Sequence, residues 1–368
     1  MEPTLLGQQQ LCFCDRCNKS SMFSAALLDD DRPLDCPRCG NAVSKEELQS
    51  GQSVTVRPIR LEKASVGRGS IVVLREPCTN KLEVKRTIGL PNESLCVRDG
   101  DLWVDGRRFQ KSMTQFLAQS IEVDAWNEVE TRLHSTGNIL KDEFCFHSQS
   151  LWPRRDAELR PHPSPILDEY RSNPAESRLP VQVRDIGLKM VLEDLASISA
   201  TIEIRIWVED AVRSVQMILS EKGVNVQSSE QENPNTNQVA ASSRWKSQHS
   251  RTIVVAMVDG RMLVGTDRSA QSLSPADFIL DSKVAPLTAC SVLTPIAMTV
   301  LEGSLSIKQA IVIRDIHYRG WQGEETFSLP ATEGYHLFGD NVSSSSDSRN
   351  RWPNGVPAEW ILGRIRQD

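Results

Sequence analysis

Four cysteines fall into two Cys-x-x-Cys pairs, Cys14-Asp15-Arg16-Cys17 and Cys36-Pro37-Arg38-Cys39, with eighteen residues between them. That spacing is the pattern of a zinc ribbon. Two such knuckles set four thiolates at the corners of a tetrahedron, and the metal supplies folding energy that so short a segment lacks. Two disulfides or idle thiols are the alternatives, and the paired spacing favours zinc. Cys12 could stand in for Cys14, but its gap to Cys17 is wrong for a knuckle. Cys78, Cys96, Cys145 and Cys290 are scattered singly and read as small buried hydrophobes.

A second group of chemically capable residues lies near the C-terminus, in Gly339-Asp340-Asn341-Val342-Ser343-Ser344-Ser345-Ser346-Asp347-Ser348-Arg349. Composition alone makes this a turn followed by a solvated serine loop. A plain loop has no use for Asp347 and Arg349 spaced to pair across a serine. Nor does it explain the apolar segments on both sides. Far upstream, Lys85 sits in the alternating stretch Leu82 to Ile88, where Leu82, Val84 and Arg86 share one face and Glu83, Lys85 and Thr87 the other. A lysine on a strand ordinarily reaches into water.

The elements that must position these residues are strands. The 368 residues, 39% of them hydrophobic, are enough for two or three domains with real cores. "SVTVRPIRL" and "GSIVVL" read as strands, and "GLPN" turns the chain. "SLCVRDGDLWVDGRR" and "IVVAMVDGRMLVG" carry Asp-Gly hairpin turns. Between about Lys111 and Ser328, Leu188, Met190 and Leu192, then Ile202, Ile204 and Ile206, alternate with polar neighbours as half-buried antiparallel strands do, which predicts a β-sandwich or jelly roll. The polar run Gln227 to Arg251 reads as a surface loop. The uncharged stretch Val284 to Leu301 just reaches membrane-span length, yet Pro286 and Pro295 suit paired strands or a buried segment better than a helix in lipid. A net charge of -6 and a pI near 5.7 leave no basic field to hold nucleic acid.

The closing segment resembles the last conserved box of bacterial type I signal peptidases, the serine-lysine dyad family, whose pattern runs Gly-Asp-Asn-Arg-Asp-Asn-Ser-x-Asp-Ser-Arg. Gly339, Asp340, Asn341, Ser345, Asp347, Ser348 and Arg349 match it, while Val342, Ser343 and Ser344 depart from it. "RGSIVVLREPCTNKLEVKRTIGLPNESL" is similar to the family's preceding boxes, with Ser70 and Asn92 in place of the usual Asp and Gly, and "GVPAEWILGRI" resembles its ending. Met1-Glu2-Pro3-Thr4-Leu5 matches the nucleophile box, Ser-x-Ser-Met-x-Pro-Thr-Leu, from its methionine onward.

The resemblance implies an endopeptidase that removes signal peptides from exported preproteins. Lys85 is then the general base, Ser345 orients its amine, and Asp347 with Arg349 holds the loop. Met1 and Pro3 are a substrate-binding remnant of the nucleophile box, whose serine is expected just upstream of Met1. A serine hydroxyl needs a base, and a lysine serves only where burial disfavours its ammonium. The family needs no cofactor for catalysis, so the structural zinc expected at Cys14, Cys17, Cys36 and Cys39 stands apart from the chemistry. The implied partners are preproteins bearing signal peptides and the cytoplasmic membrane, reached through an anchor upstream, with the catalytic domain on the outer face and no nucleic acid.

The fold expected is mainly β: a signal-peptidase-type core interrupted by a zinc-ribbon insertion and a large sandwich-like insertion. The boundaries are 1–11 for the nucleophile-box remnant, 12–45 for the ribbon, 46–111 for the first part of the core, 112–325 for the β-rich insertion and 326–368 for the closing part. The alternative is a non-catalytic relative that binds a partner through its ribbon and sandwich. An unrelated zinc-ribbon β-protein would need three motifs in family order by coincidence.

Overall fold

Alternating apolar and polar residues, broken by Asp-Gly and Gly-containing turns, build this chain almost entirely from antiparallel strands. The computed structural model describes residues 8–16, 18–24, 28, 34–36, 39–50, 56–58, 66–134, 143–150, 162–170, 179–192, 199–208, 211–221, 223–227, 239–244, 251–266, 270–272 and 290–365.

Strands β1 (Gln9–Cys14), β2 (Lys19–Ser24) and β3 (Ser44–Gln49) form a three-stranded sheet in the order β2-β1-β3. Its apolar centre is small, comprising Cys12, Phe23 and Leu34. So little buried surface stabilises a fold weakly without a metal or another staple.

β4 (Val56–Pro58), β5 (Ile71–Arg75) and β6 (Leu82–Gly89) come next, followed by β7 (Leu95–Arg98), β8 (Asp101–Val104) and β9 (Arg107–Arg108). Asp99 and Gly100 turn β7 into β8 with φ of 50° and 87°, and Asp105 and Gly106 repeat the device before β9 at 48° and 77°. Both turns need left-handed backbone at two successive residues, which is why Asp-Gly marks them in the sequence. The short helix α1 (Met113–Leu117) starts at a capping box in which Ser112 and Gln115 bond reciprocally.

The longest strands follow: β10 (Ile121–His134), β11 (Glu143–Phe146), β12 (Gln149–Ser150), β13 (His162–Pro163), β14 (Ile186–Leu192), β15 (Ser199–Val208), β16 (Ala211–Ser220), β17 (Gly223–Gln227), β18 (Val239–Arg244), β19 (Arg251–Val258), β20 (Arg261–Thr266), β21 (Ala270–Ser272) and β22 (Ile296–Arg314). The sequence predicts a sandwich or jelly roll here. Hydrogen bonding runs through the 19-residue β22, which is shared by two antiparallel halves and links them into eleven strands. The first part of β22 pairs with β11 and β15 and the second with β10 and β14. Gly303, at φ +78°, lies where the pairing changes; a Cβ there would meet the Ser199 carbonyl oxygen at 1.9 Å. Side chains from both halves share one core that includes Leu188, Met190, Ile202, Ile204, Val255 and Met298. Each such fully buried chain stabilises the fold by about 2 kcal/mol. On the opposite face, Met113 and Phe116 of α1 pack on Val254, Ala256 and Leu263.

Val239–Arg244, inside the run read as a surface loop, is strand β18 and pairs with β17. Its serines and alanines carry little apolar signal, so the pairing comes from the neighbouring edge rather than from composition. The described part of the uncharged 284–301 stretch enters β22 at Ile296, and no helix among the described residues is long and apolar enough to cross a membrane.

The chain then returns to its first half. β23 (Thr326–Leu329) joins the sheet β23-β7-β8-β9, while β24 (His336–Phe338) and β25 (Ile361–Ile365) complete β24-β6-β5-β25-β4. Residues more than two hundred positions apart are thereby hydrogen-bonded neighbours.

Candidate active site

The pairing of β24 with β6 sets Leu337 opposite Thr87 and Phe338 opposite Arg86, so the chain beyond Phe338 emerges beside Lys85. The loop from Gly339 to Asn350 then closes on a single carboxylate. Asp347 accepts from the Gly339 N–H at 2.8 Å and from the Arg349 N–H at 3.1 Å. The Arg349 guanidinium grips the same carboxylate in bidentate fashion at 2.9 and 2.7 Å, with both side chains fully buried. Its remaining N–H groups reach the carbonyls of Val342 at 2.9 Å and Arg319 at 3.1 Å. Ser348 Oγ accepts from the Leu337 N–H at 2.9 Å, which fastens the far end of the loop to β24.

Inside this frame the Lys85 Nζ donates to Ser345 Oγ at 3.4 Å. Ser345 is 8% exposed, and the space for its hydroxyl depends on Gly339, where a Cβ would meet Ser345 Oγ at 2.1 Å. Lys85 also pairs with Glu83 at 3.3 Å, because residues two apart on a strand share a face. Glu83 is itself held by Arg351 at 2.6 Å, so one carboxylate serves two cations. Arg351 further pairs with Glu76, which also accepts from Trp352 Nε1 at 3.2 Å.

On the other face of β6, Arg86 is buried and donates to both oxygens of Asp340 at 2.8 and 2.7 Å and to the Gly69 carbonyl at 2.9 Å. Burial, the largest single influence, would lower the Arg86 guanidinium, but the charge and hydrogen bonds of Asp340, with smaller contributions from Tyr318 and Asp315, together raise it above its ordinary value. Tyr170, which precedes the eleven-stranded sheet's β14, donates its hydroxyl to the Asp340 carbonyl. His336 is fully buried on β24, and that burial holds its imidazole below the ordinary value while its Nε2 bonds the Pro330 carbonyl at 2.9 Å.

Lys85, Ser345, Asp347 and Arg349 are thus gathered at one place. Glu83, Arg86, Gly339, Asp340 and Arg351 join them and were not singled out as site residues. Arg86 and Asp340 could have been, since each lies inside a motif that resembles the signal peptidases. Met1 and Pro3 lie outside the described residues.

A separate cluster gathers three of the four predicted metal ligands. Cys14, Cys36 and Cys39 bring their sulfurs within 4.8 Å of one another, and Cys14 Sγ lies 3.6 Å from Cys39 Sγ. Gly40, at φ +71°, turns the Cys36–Cys39 segment so that its N–H bonds the Cys36 carbonyl at 2.9 Å. None of the three forms a disulfide among the described residues. Cys17 lies outside the described residues. Cys12 turns instead into the Phe23 and Leu34 cluster, where burial pushes its thiol up.

These sheets and polar contacts define a mainly β protein with a half-buried lysine–serine contact and a separate thiol cluster. Residues 41–148 match the family model described as signal peptidase, peptidase S26, which relates this part of the chain to that protease family. The match includes Lys85 and Arg86 and stops short of the closing box. No curated protein matches the chain. Among solved structures, the chain is similar to an engineered GH43 glycoside hydrolase with endo-xylanase and exo-arabinofuranosidase activity at a TM-score of 0.24 and 9% identity, over 40% of this chain and 32% of that one. The chain therefore spans about a third of that enzyme's length. A carbohydrate esterase from Shiga toxin-encoding bacteriophage phi24B is similar at a TM-score of 0.21 and 7% identity, over 36% of this chain and 69% of that one. Alginate lyase A1-II′ of polysaccharide lyase family 7 is similar at 0.21 and 9%, over 61% and 91%. Likenesses this slight define neither the fold nor the function.

Proposed function

We propose that this chain is the catalytic part of a signal peptidase I, which removes signal peptides from exported preproteins with a serine-lysine dyad whose base is Lys85. The observation that carries the reading is the Lys85–Ser345 contact at 3.4 Å, made between two motifs that resemble the family and closed around the Asp347–Arg349 pair. Ser345 steers the amine toward the nucleophile. The Asp347–Arg349 pair keeps the Ser345 loop seated, and Arg86 with Asp340 fixes the strand beneath it. An amine acting as a base is neutral, so Glu83 leans on Arg351 until Lys85 takes the serine proton, and it then pairs with the ammonium that forms.

In the family's order the nucleophile stands directly before Met1, with a membrane anchor farther upstream, and Met1 and Pro3 flank the bound signal peptide. The peptide binds as an extended strand whose small residues fit shallow pockets. The ribbon and the eleven-stranded sheet are insertions into this core. Zinc held by Cys14, Cys17, Cys36 and Cys39 stabilises the ribbon; three thiols at mutual distances suited to a tetrahedral ion support this.

Coding DNA upstream of the Met1 codon tests the placement of the nucleophile. Ser-x-Ser in frame directly before Met1, preceded by about twenty apolar residues, is expected. A stop codon there would favour the second reading, a non-catalytic relative that binds a partner through its ribbon and large sheet. The feature that favours that reading is the Glu83 pair, which gives Lys85 an ionic role without catalysis.

A further inference from the structure

Where the β7–β8 hairpin meets the eleven-stranded sheet, a cavity of about 200 Å³ is lined by Asp101, Trp103, Arg108, Asp185, Asp315 and His317, among others. Asp101 comes from β8, Asp185 from the residue before β14 and Asp259 from the β19–β20 turn. Each contributes a carboxylate oxygen, and the three oxygens lie within 4.8 Å of one another.

Among the groups bonded to one another beside the cavity, carboxylates outnumber cations. Lys111 bonds Asp259 Oδ1 and Asp315 Oδ2, both at 2.8 Å, and its backbone N–H bonds Asp259 Oδ2 at 2.7 Å. Arg108 takes Asp101 at 2.6 Å. Lys111 and Arg108 are thus the two cations bonded within this group of four carboxylates, while Arg98 and Arg184, both exposed, also line the cavity. The Asp185 carboxylate accepts only the Asp259 N–H, at 3.0 Å, among the described residues. Asp315 is 3% exposed, lines the cavity, and its Oδ1 receives no hydrogen bond among the described residues. On the same wall the Trp103 Nε1–H is also without a partner among them. Buried carboxylates in excess of their counter-ions are costly, and a doubly charged ion would offset the difference. An unmet acceptor and an unmet donor bordering one cavity suit ordered water.

We propose that this cavity binds a hydrated divalent cation of the calcium and magnesium class through Asp101, Asp185 and Asp259, with Asp315 Oδ1 accepting from water in the ion's shell. An all-oxygen donor set selects hard cations that retain water, and it sets this site apart from the soft thiol cluster near the N-terminus. Its ligands come from β8, from the lead into β14 and from the β19–β20 turn, so the ion ties the smaller sheets to the large one. The site does not depend on the peptidase reading.

The test is calorimetric titration of calcium, and separately of magnesium, into the full chain with its cysteines zinc-loaded, followed by terbium luminescence excited through tryptophan. Saturable binding of about one ion per chain is expected. Terbium emission should be displaced by calcium and should fall in Trp103→Phe, which leaves calcium binding intact. Asp185→Asn should weaken calcium binding by roughly tenfold or more. Asp101→Asn serves the same purpose should the first variant fail to fold. Absence of saturable binding of either ion at millimolar concentration would overturn the proposal. Binding that is unchanged in a folded Asp185→Asn or Asp101→Asn protein would overturn it equally.

Discussion

Lys85 Nζ lies 3.4 Å from Ser345 Oγ although 260 positions separate the two residues in sequence. The contact exists because β24 pairs with β6, and because the loop after Gly339 folds back on Asp347. Each of these supports can be removed by itself, and each removal has a distinct expected effect.

Gly339→Ala attacks the contact through space alone. The new Cβ would lie 2.1 Å from Ser345 Oγ and 2.5 Å from its Cβ, both unyielding parts of a short side chain. Ser345 must turn away from Lys85. A crystal structure of the variant should find the two groups out of hydrogen-bond range, and cleavage by the chain with its nucleophile supplied should fall about a hundredfold. A preserved contact and an unchanged rate would contradict the assignment of Ser345.

Asp340→Ala leaves Arg86 buried without its counter-charge. Breaking such a pair costs about 3 to 5 kcal/mol. Urea denaturation should show a loss of that size, since the guanidinium keeps the Gly69 carbonyl but loses both oxygens of Asp340. A loss below about 1 kcal/mol, the value of an exposed pair, would mean that the buried geometry is wrong.

Metal content tests the thiol cluster. Purified under reducing conditions, the full chain should carry about one zinc per chain, and Cys36→Ser should lose it. Chelation should unfold the three-stranded sheet of β1–β3 while the β24–β6 pairing survives, since the ribbon's own core is only Cys12, Phe23 and Leu34. Full zinc occupancy in Cys36→Ser would exclude the cluster as the binding site.

Asp101 gives the fold a pH dependence. Burial raises its carboxyl from 3.8 to about 6, against the pull of Arg108. The folded protein therefore binds this proton more tightly than the unfolded chain. The stability it provides is fully present below about pH 4 and is lost as pH rises through about 6, by roughly 1 to 3 kcal/mol. In calcium- and magnesium-free buffer, the thermal midpoint of Asp101→Asn should change less between pH 4 and pH 7 than that of the wild type. An identical slope in both proteins would remove Asp101 as the cause.

Much of this was legible in the sequence, for reasons that differ by residue. The Asp99-Gly100 and Asp259-Gly260 turns announce their hairpins because few other residue pairs accept left-handed backbone twice in succession. Ile202, Ile204 and Ile206 announce β15 by alternation. β18 stayed hidden because its small polar residues carry no period that its partner strand does not impose. At the site, spacing suggested Asp347 with Arg349, two residues apart, whereas nothing local could bring Ser345 to Lys85. Only the resemblance to a family joined them. Glu83 was readable as the neighbour of Lys85 on one strand face, but its sharing between Lys85 and Arg351 depends on the returning chain. The acidic cavity was beyond reach, since Asp101, Asp185 and Asp259 look like ordinary hairpin and strand-end residues until three separate segments converge.

The central claim, that Lys85 is the base of a peptidase, is tested most directly by preprotein cleavage. The chain should be joined to the Ser-x-Ser segment of the family's first box directly before Met1 and compared with the same protein carrying Lys85→Met. The account predicts a cut after the Ala-x-Ala end of the signal peptide in the first protein and no product in the second. Equal cleavage by both would contradict it.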